Sequence, residues 1–166
     1  AKPLVHHGDT KLHLAFSIFL FNSQGALLLQ KRALTKKTWP GVWSNSCCGH
    51  VMLHEETIDA AKRRLKFELG ISGVELKLIL PDFRYRAEKD GVVENEICPV
   101  FVGVTDKLPR PNPDEVEAVK WVDWSDFQAE AASPDTDISP WAVEEIELLI
   151  ANKEFQAFIS GLTLRS

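Results

Sequence analysis

Cys48, Gly49 and His50 follow one another, and further along the chain Glu94 and Glu96 flank Asn95. Side chains alternate along a strand, so the two carboxyls would share a face about 7 Å apart. Four of the five histidines fall in the first fifty residues, and one of His6-His7, His13 and His50 adjoin segments from which they could converge on those carboxyls. Three imidazoles and two carboxylates would hold a divalent ion, and nitrogen donors favour Zn, Mn or Fe over Mg. A plainer reading also stands: His13 a satisfied core histidine, His6 and His7 surface residues, His50 a turn cap, since no short ligand motif joins them. For Glu94 and Glu96 the plain reading is a solvated face. Val93, Ile97, Val100 and Phe101 around them weaken it, because two acids on an inward face are costly unless they bind metal or share a proton.

For Cys48 a small buried hydrophobe and a reactive group are by default equal readings. Its place directly before Gly49-His50, beside a possible cation site that would alter its acidity, favours a reactive thiol. Cys47 would point the other way, into the core. The residues that follow predict one amphipathic helix: Ile58, Ala61, Leu65 and Leu69 recur at helical spacing, Gly70 suits a left-handed cap, and Glu55 and Glu56 suit the positive end. Gly49, five residues, Glu55, seven residues, Arg63, then Glu68 to Ile71 resembles most of the Nudix box, a loop-helix motif whose glutamates hold metal against a diphosphate. Where that box has two more glutamates, this chain has Arg64 and Phe67. One carboxylate and an arginine can grip a diphosphate, but they lack the acidic cluster that activates a hydrolytic water.

The surrounding chain bounds what these residues can serve. At 166 residues and 45% hydrophobic it can bury a full core, and one domain over 1–166 is expected. The apolar run from Leu12 to Phe21 is half a membrane span and contains His13 and Ser17, so it reads as a buried strand. No charged-then-apolar signal opens the sequence, and three cysteines with an adjacent pair argue against a disulfide framework; a reducing cytoplasm fits. The net charge of -5 is uneven: residues 1–86 hold 13 Lys or Arg against 7 Asp or Glu, and residues 87–166 hold 6 against 17. The cations gather around the motif in short clusters, which suits a compact polyanion such as a diphosphate better than a nucleic-acid stripe. Taken singly, Arg32, Lys36 and Arg64 would by default be solvated surface residues, and the five tryptophans mostly core.

The elements that would position these groups follow from period and turn signals. Leu12 to Asn22 and Ala26 to Ala33 read as strands joined by a hairpin, and Thr35 to Val42 as a basic, aromatic binding lip. A short strand and a Gly-His turn lead into the helix. Val74 to Leu80 and Phe83 to Ala87 are strand-like, and a turn at Glu88 to Gly91 precedes one long strand, Val92 to Thr105. Val116 to Val122 is a strand, Ser125 caps a helix through about Ala132, and helices follow from Pro140 to Ala151 and from Glu154 to Ile159. Strands around one helix, with helices at the end, predict an α/β (α+β) mixed sheet flanked by helices, an α/β/α sandwich.

SNSCCGH, RALTKKTWPGVW, PDFRYRA, VENE and SPW, in this order from about Lys2 to Trp141, resemble the type I isopentenyl-diphosphate delta-isomerases of the Nudix fold. The resemblance implies an enzyme interconverting isopentenyl and dimethylallyl diphosphate by protonation and deprotonation through a tertiary carbocation, in isoprenoid biosynthesis. It implies Cys48 and Glu96 as the acid-base pair on opposite faces of the isoprenoid, Tyr85 assisting Glu96, and Trp141 against the cation. His6, His13, His50, Glu94 and Glu96 would bind one divalent ion, Mn2+, Zn2+ or Mg2+; His6 is preferred to His7 because HxxDTxLH runs from it to His13. A Mg2+ would lie between Glu68, the Cys48 carbonyl and the substrate diphosphate, which Lys2, Arg32, Lys36 and Arg64 would also hold. No nucleic acid, membrane or obligate protein partner is implied. Two rivals share the helix: a Nudix hydrolase of diphosphate compounds, which needs the acids that Arg64 and Phe67 replace, and a non-catalytic binding module, which has no use for Cys48 opposite Glu96.

Overall fold

The computed structural model describes residues 11–163. Its organising element is β1 (His13–Phe21), whose side chains alternate between two cores. Phe16, Ile18 and Leu20 pack with Ala61, Leu65 and Leu69 of α1 (Thr57–Leu69), whereas Ala15, Phe19 and Phe21 pack with Phe127, Ile146 and Phe155 of the C-terminal helices. A strand buried on both faces in this way must have helices on both sides. The expected α/β/α arrangement is what these two clusters build.

Among the described residues nine strands join in one hydrogen-bonded network. Next to β1 run β2 (Ala26–Arg32) and β4 (Cys47–His50), both antiparallel to it, with β3 (Trp43–Ser44) on β2. After α1 come β5 (Lys77–Leu80), β6 (Arg84–Lys89), β7 (Val92–Ile97), β8 (Val100–Val104) and β9 (Val116–Asp123). Then follow α2 (Trp124–Ala132), α3 (Pro140–Ala151) and α4 (Lys153–Thr163).

Four expectations are corrected. The strand expected over Val92 to Thr105 is broken at Cys98-Pro99, because proline has no backbone donor for a ladder; β7 pairs in parallel with the start of β1 and β8 with its end. Gly49 and His50 are not a turn but the end of β4, opposite Phe16 and Ala15. The turn before β7 is tighter than expected, Asp90-Gly91, with positive φ at both residues. Asp123, not Ser125, caps α2, accepting from the Ser125 and Asp126 amides. The α1 cap at Gly70 is left-handed as expected, with φ 64°. Leu65 and Leu69 are the anchors of that helix, each contributing about 1.5–3 kcal/mol by burial.

Candidate active site

Strand register alone places an imidazole and a phenol beside Glu96. His13 is its partner in the parallel β1–β7 ladder, and Tyr85 its partner in the antiparallel β6–β7 ladder. His50 Nε2 lies 2.5 Å from Glu96 Oε1. Ligand atoms of His50, Glu94 and Glu96 all lie within 4.8 Å of one another, and the His13 ring stands edge-on to that of His50, centroids 6.2 Å apart. Burial pushes the Glu96 carboxyl up, and hydrogen bonds with Glu94 and Tyr85 offset only part of this. The Tyr85 phenol is raised far above its usual range, first by burial and then by the carboxylates of Glu96 and Glu94.

Cys48 reaches the same cavity from the other side of β1, on β4 opposite Ser17. Its Sγ donates to Asn45 Oδ1 at 3.4 Å, and Trp141 Nε1 donates to the same oxygen at 3.2 Å. Burial pushes the thiol up to about 12; the Arg32 guanidinium is the leading opposing influence and does not prevail. Cys48 is therefore a protonated thiol at neutral pH, not an activated thiolate. Cys47, one residue back, is wholly buried on the α1 side and donates to Glu68 Oε2 at 3.4 Å.

At the cationic end, Arg32 donates twice to the Thr38 carbonyl, at 2.9 and 3.1 Å, and lies 5.5 Å over the Trp141 ring. Arg64, on α1, pairs with Glu68 and with Glu115; Lys36 also pairs with Glu115. The Arg64 Nε is buried and lacks a hydrogen-bond partner among the described residues. The Gly49 position is tight: a Cβ there would meet Arg64 Cγ and Phe16 Cζ at 3.0 Å, so both side chains would have to give way.

One cavity of about 540 Å³ is lined by Arg32, Lys36, Cys48, His50, Arg64, Tyr85, Glu94, Glu96 and Trp141. Of the other residues expected in the site, Glu68 lies buried behind Arg64 and His13 beside His50, while Lys2 and His6 fall outside the described residues. The sequence reading missed three groups. Asn45 holds both the Cys48 thiol and Trp141, and its neighbourhood in SNSCCGH was the available signal. Glu145, on α3, is wholly buried, held by Cys98 at 3.8 Å and by Ser17, and burial pushes its carboxyl well up. Glu115 reaches Lys36 and Arg64 from a loop, with no local spacing to announce it.

The NUDIX domain model matches residues 11–142. Over 150 residues the chain is 54% identical to the isopentenyl-diphosphate Delta-isomerase of Saccharopolyspora erythraea, covering 90% of this chain and 77% of that one. With the isomerase of the same name from Escherichia coli it shares 46% over 158 residues, 95% of this chain and 87% of the relative. The chain belongs to the isopentenyl-diphosphate Delta-isomerase family of NUDIX proteins. Among solved structures, a MutT protein from Methanosarcina mazei has the same fold, with a TM-score of 0.67 at 17% identity over 90% of this chain and 96% of that one.

NUDIX proteins depend on divalent metal, and in this isomerase family member the group His50, Glu94 and Glu96 fits such an ion: its donors are close, mixed nitrogen and oxygen, and two of the three are buried. The departure from the NUDIX box at Arg64 also has a geometry. A cation stands there whose Nε has no hydrogen-bond partner among the described residues and faces the backbone gap that Gly49 leaves. Among the described residues no helix is long and apolar enough to cross a membrane.

Proposed function

We propose that this chain interconverts isopentenyl and dimethylallyl diphosphate, with Cys48 and Glu96 moving the protons. The observation that carries the reading is that a protonated thiol and a buried carboxyl enter one cavity from the two strands that flank β1. Protonating an unactivated alkene gives a tertiary cation, so the reaction needs an acid on one face, a base on the other, and no water to trap the intermediate. Cys48 Sγ carries a proton at neutral pH and can deliver it to the terminal carbon. Glu96 then takes a proton from the carbon on the other side of the branch, and the reverse reaction exchanges the roles. Tyr85 holds Glu96 by a hydrogen bond, and the Trp141 and Tyr85 rings offer the cation π faces rather than lone pairs.

The diphosphate makes no bond in this reaction and serves as an anchor. Arg32, Lys36 and Arg64, with Lys2, hold it; Glu68 and the Cys48 carbonyl would hold a Mg2+, which would offset part of the diphosphate's charge. The second ion, bound by His50, Glu94, Glu96, His13 and His6, would fix the Glu96 carboxyl and its charge, and this donor set suits Mn2+ or Zn2+ better than Mg2+. We place the reaction in the cytoplasm, in one domain over 1–166; three free cysteines support the reducing compartment. In heavy water the protein should introduce deuterium into both diphosphate esters and release no phosphate. Phosphate release without deuterium would replace the isomerase reading by the hydrolase one.

A further inference from the structure

Two cations of the proposed anchor converge on a single atom. Lys36 Nζ contacts Glu115 Oε2, and Arg64 Nη2 lies 3.1 Å from the same oxygen. Arg64 also pairs with Glu68, one turn along α1. Two cations are matched by two carboxylates, so these four groups have no formal net charge. All are sheltered, with side chains 17% exposed for Lys36, 14% for Arg64, 18% for Glu115 and 4% for Glu68. Charges so placed act on one another more strongly than in water. The backbone fixes Glu115 there: its carbonyl accepts from Ala33 N at 3.1 Å, just past Arg32, and its amide donates to Asn112 O at 3.0 Å. Burial alone would raise the Glu115 carboxyl, but Lys36 and Arg64 prevail and keep it charged.

Any anion that takes Lys36 and Arg64 must therefore displace Glu115 or sit beside it. A bare diphosphate meets two carboxylates at close range. A diphosphate that carries a divalent cation brings the positive charge which offsets both. We propose that Glu115 is a specificity-determining residue that makes the anchor accept metal-bearing diphosphate and reject the metal-free anion. The inference rests on the reading that Lys36 and Arg64 hold the diphosphate.

Inorganic pyrophosphate, titrated calorimetrically into the full chain with magnesium and with a chelator, tests it. The wild-type chain should bind magnesium pyrophosphate at least about tenfold more tightly than the metal-free anion, given the cost of placing like charges together. Glu115→Gln and Glu115→Ala should each raise the metal-free affinity at least about tenfold and shrink the magnesium advantage by the same factor. Folded variants whose metal-free affinity is unchanged, or falls with and without magnesium alike, would overturn the proposal, as would a wild-type chain indifferent to magnesium. In those cases the anchor itself survives if Arg64→Gln still weakens pyrophosphate binding. A wild-type chain that does not bind magnesium pyrophosphate at all would remove the anchor and the proposal together.

Discussion

Tyr85 and Glu96 face one another across the β6–β7 ladder, with the phenol hydrogen-bonded to the carboxyl. A hydrogen bond to a charged group contributes about 1.5–3 kcal/mol, or roughly 10- to 100-fold in rate if it persists in the transition state. Tyr85→Phe should lower kcat/KM within that range. The bond favours the ionised carboxyl, so losing it raises the Glu96 pKa. In the proposed mechanism Glu96 must accept a proton, and the acid limb of the pH profile should therefore move to higher pH in Tyr85→Phe. A limb that stays where it was would separate Tyr85 from the base.

The adjacent cysteines offer a test in which the two results should differ. Cys48→Ala and Glu96→Gln should each cost at least about 10²-fold in kcat, the low end for losing a general acid or base. Cys47 lies on the opposite face, wholly buried against α1. Cys47→Ala should leave kcat within a few-fold and show itself in the melting temperature, at about 1 kcal/mol. If Cys47→Ala abolished turnover while Cys48→Ala did not, the roles given to the two strand faces would have to be exchanged.

In the proposed mechanism Lys36 anchors the diphosphate and takes no part in the proton transfers. Lys36→Gln should raise KM about tenfold, the equivalent of 1.4 kcal/mol, with kcat little changed, since a non-reacting group is held alike in ground and transition states. Steady-state kinetics with magnesium in excess decide this; a loss confined to kcat would exclude it.

Glu94→Gln should weaken retention of the divalent ion at least about 10-fold, because it removes charge from a close donor group. Metal content after gel filtration, read beside the far-ultraviolet circular dichroism, separates this from unfolding. Full metal retention in a folded variant would take Glu94 out of the ligand set.

Glu55 ties the loop before α1 to the helix, accepting from Arg63 Nε at 2.7 Å and from the Met52 amide at 3.0 Å. The Arg63 hydrogen bond, followed by the Met52 amide, lowers the Glu55 pKa from 4.5 to about 2. A lowered folded-state pKa means that the stabilisation is fully present above 4.5 and is lost as pH falls through about 2. The melting temperature of Glu55→Gln should therefore lie below that of the wild-type chain at neutral pH and converge with it at the acid end. A difference independent of pH would assign the effect to something other than ionisation.

How much of this was legible in the sequence depended on the range of the interaction. The two faces of β1 were not separable from its apolar run alone, but a buried strand was, and Gly70 announced the left-handed end of α1 because few residues adopt that φ readily. The break at Cys98-Pro99 was missed by reading an apolar run as continuous despite its proline. Asp123 was overlooked in favour of Ser125, though both are good caps, because the strand before it extends one residue further than its apolar pattern. Glu115 was beyond reach: its partner Lys36 is brought to it by the β2–β9 pairing, which composition and spacing do not encode.

Asn45 gives the site a thermal consequence. Its side-chain oxygen takes hydrogen bonds from the Ser44 hydroxyl, the Cys48 thiol and the Trp141 indole, and its amide donates to the Ile18 and Cys47 carbonyls. The aim of the thiol is thus mechanically coupled to the first turn of α3, which the Ser139 amide and hydroxyl fasten to Trp43 and Ser44. Local openings require less free energy than global unfolding. Fraying of that single turn would misdirect the acid while the sheet remained intact, so on warming, catalytic competence should fade at a lower temperature than the cooperative melt.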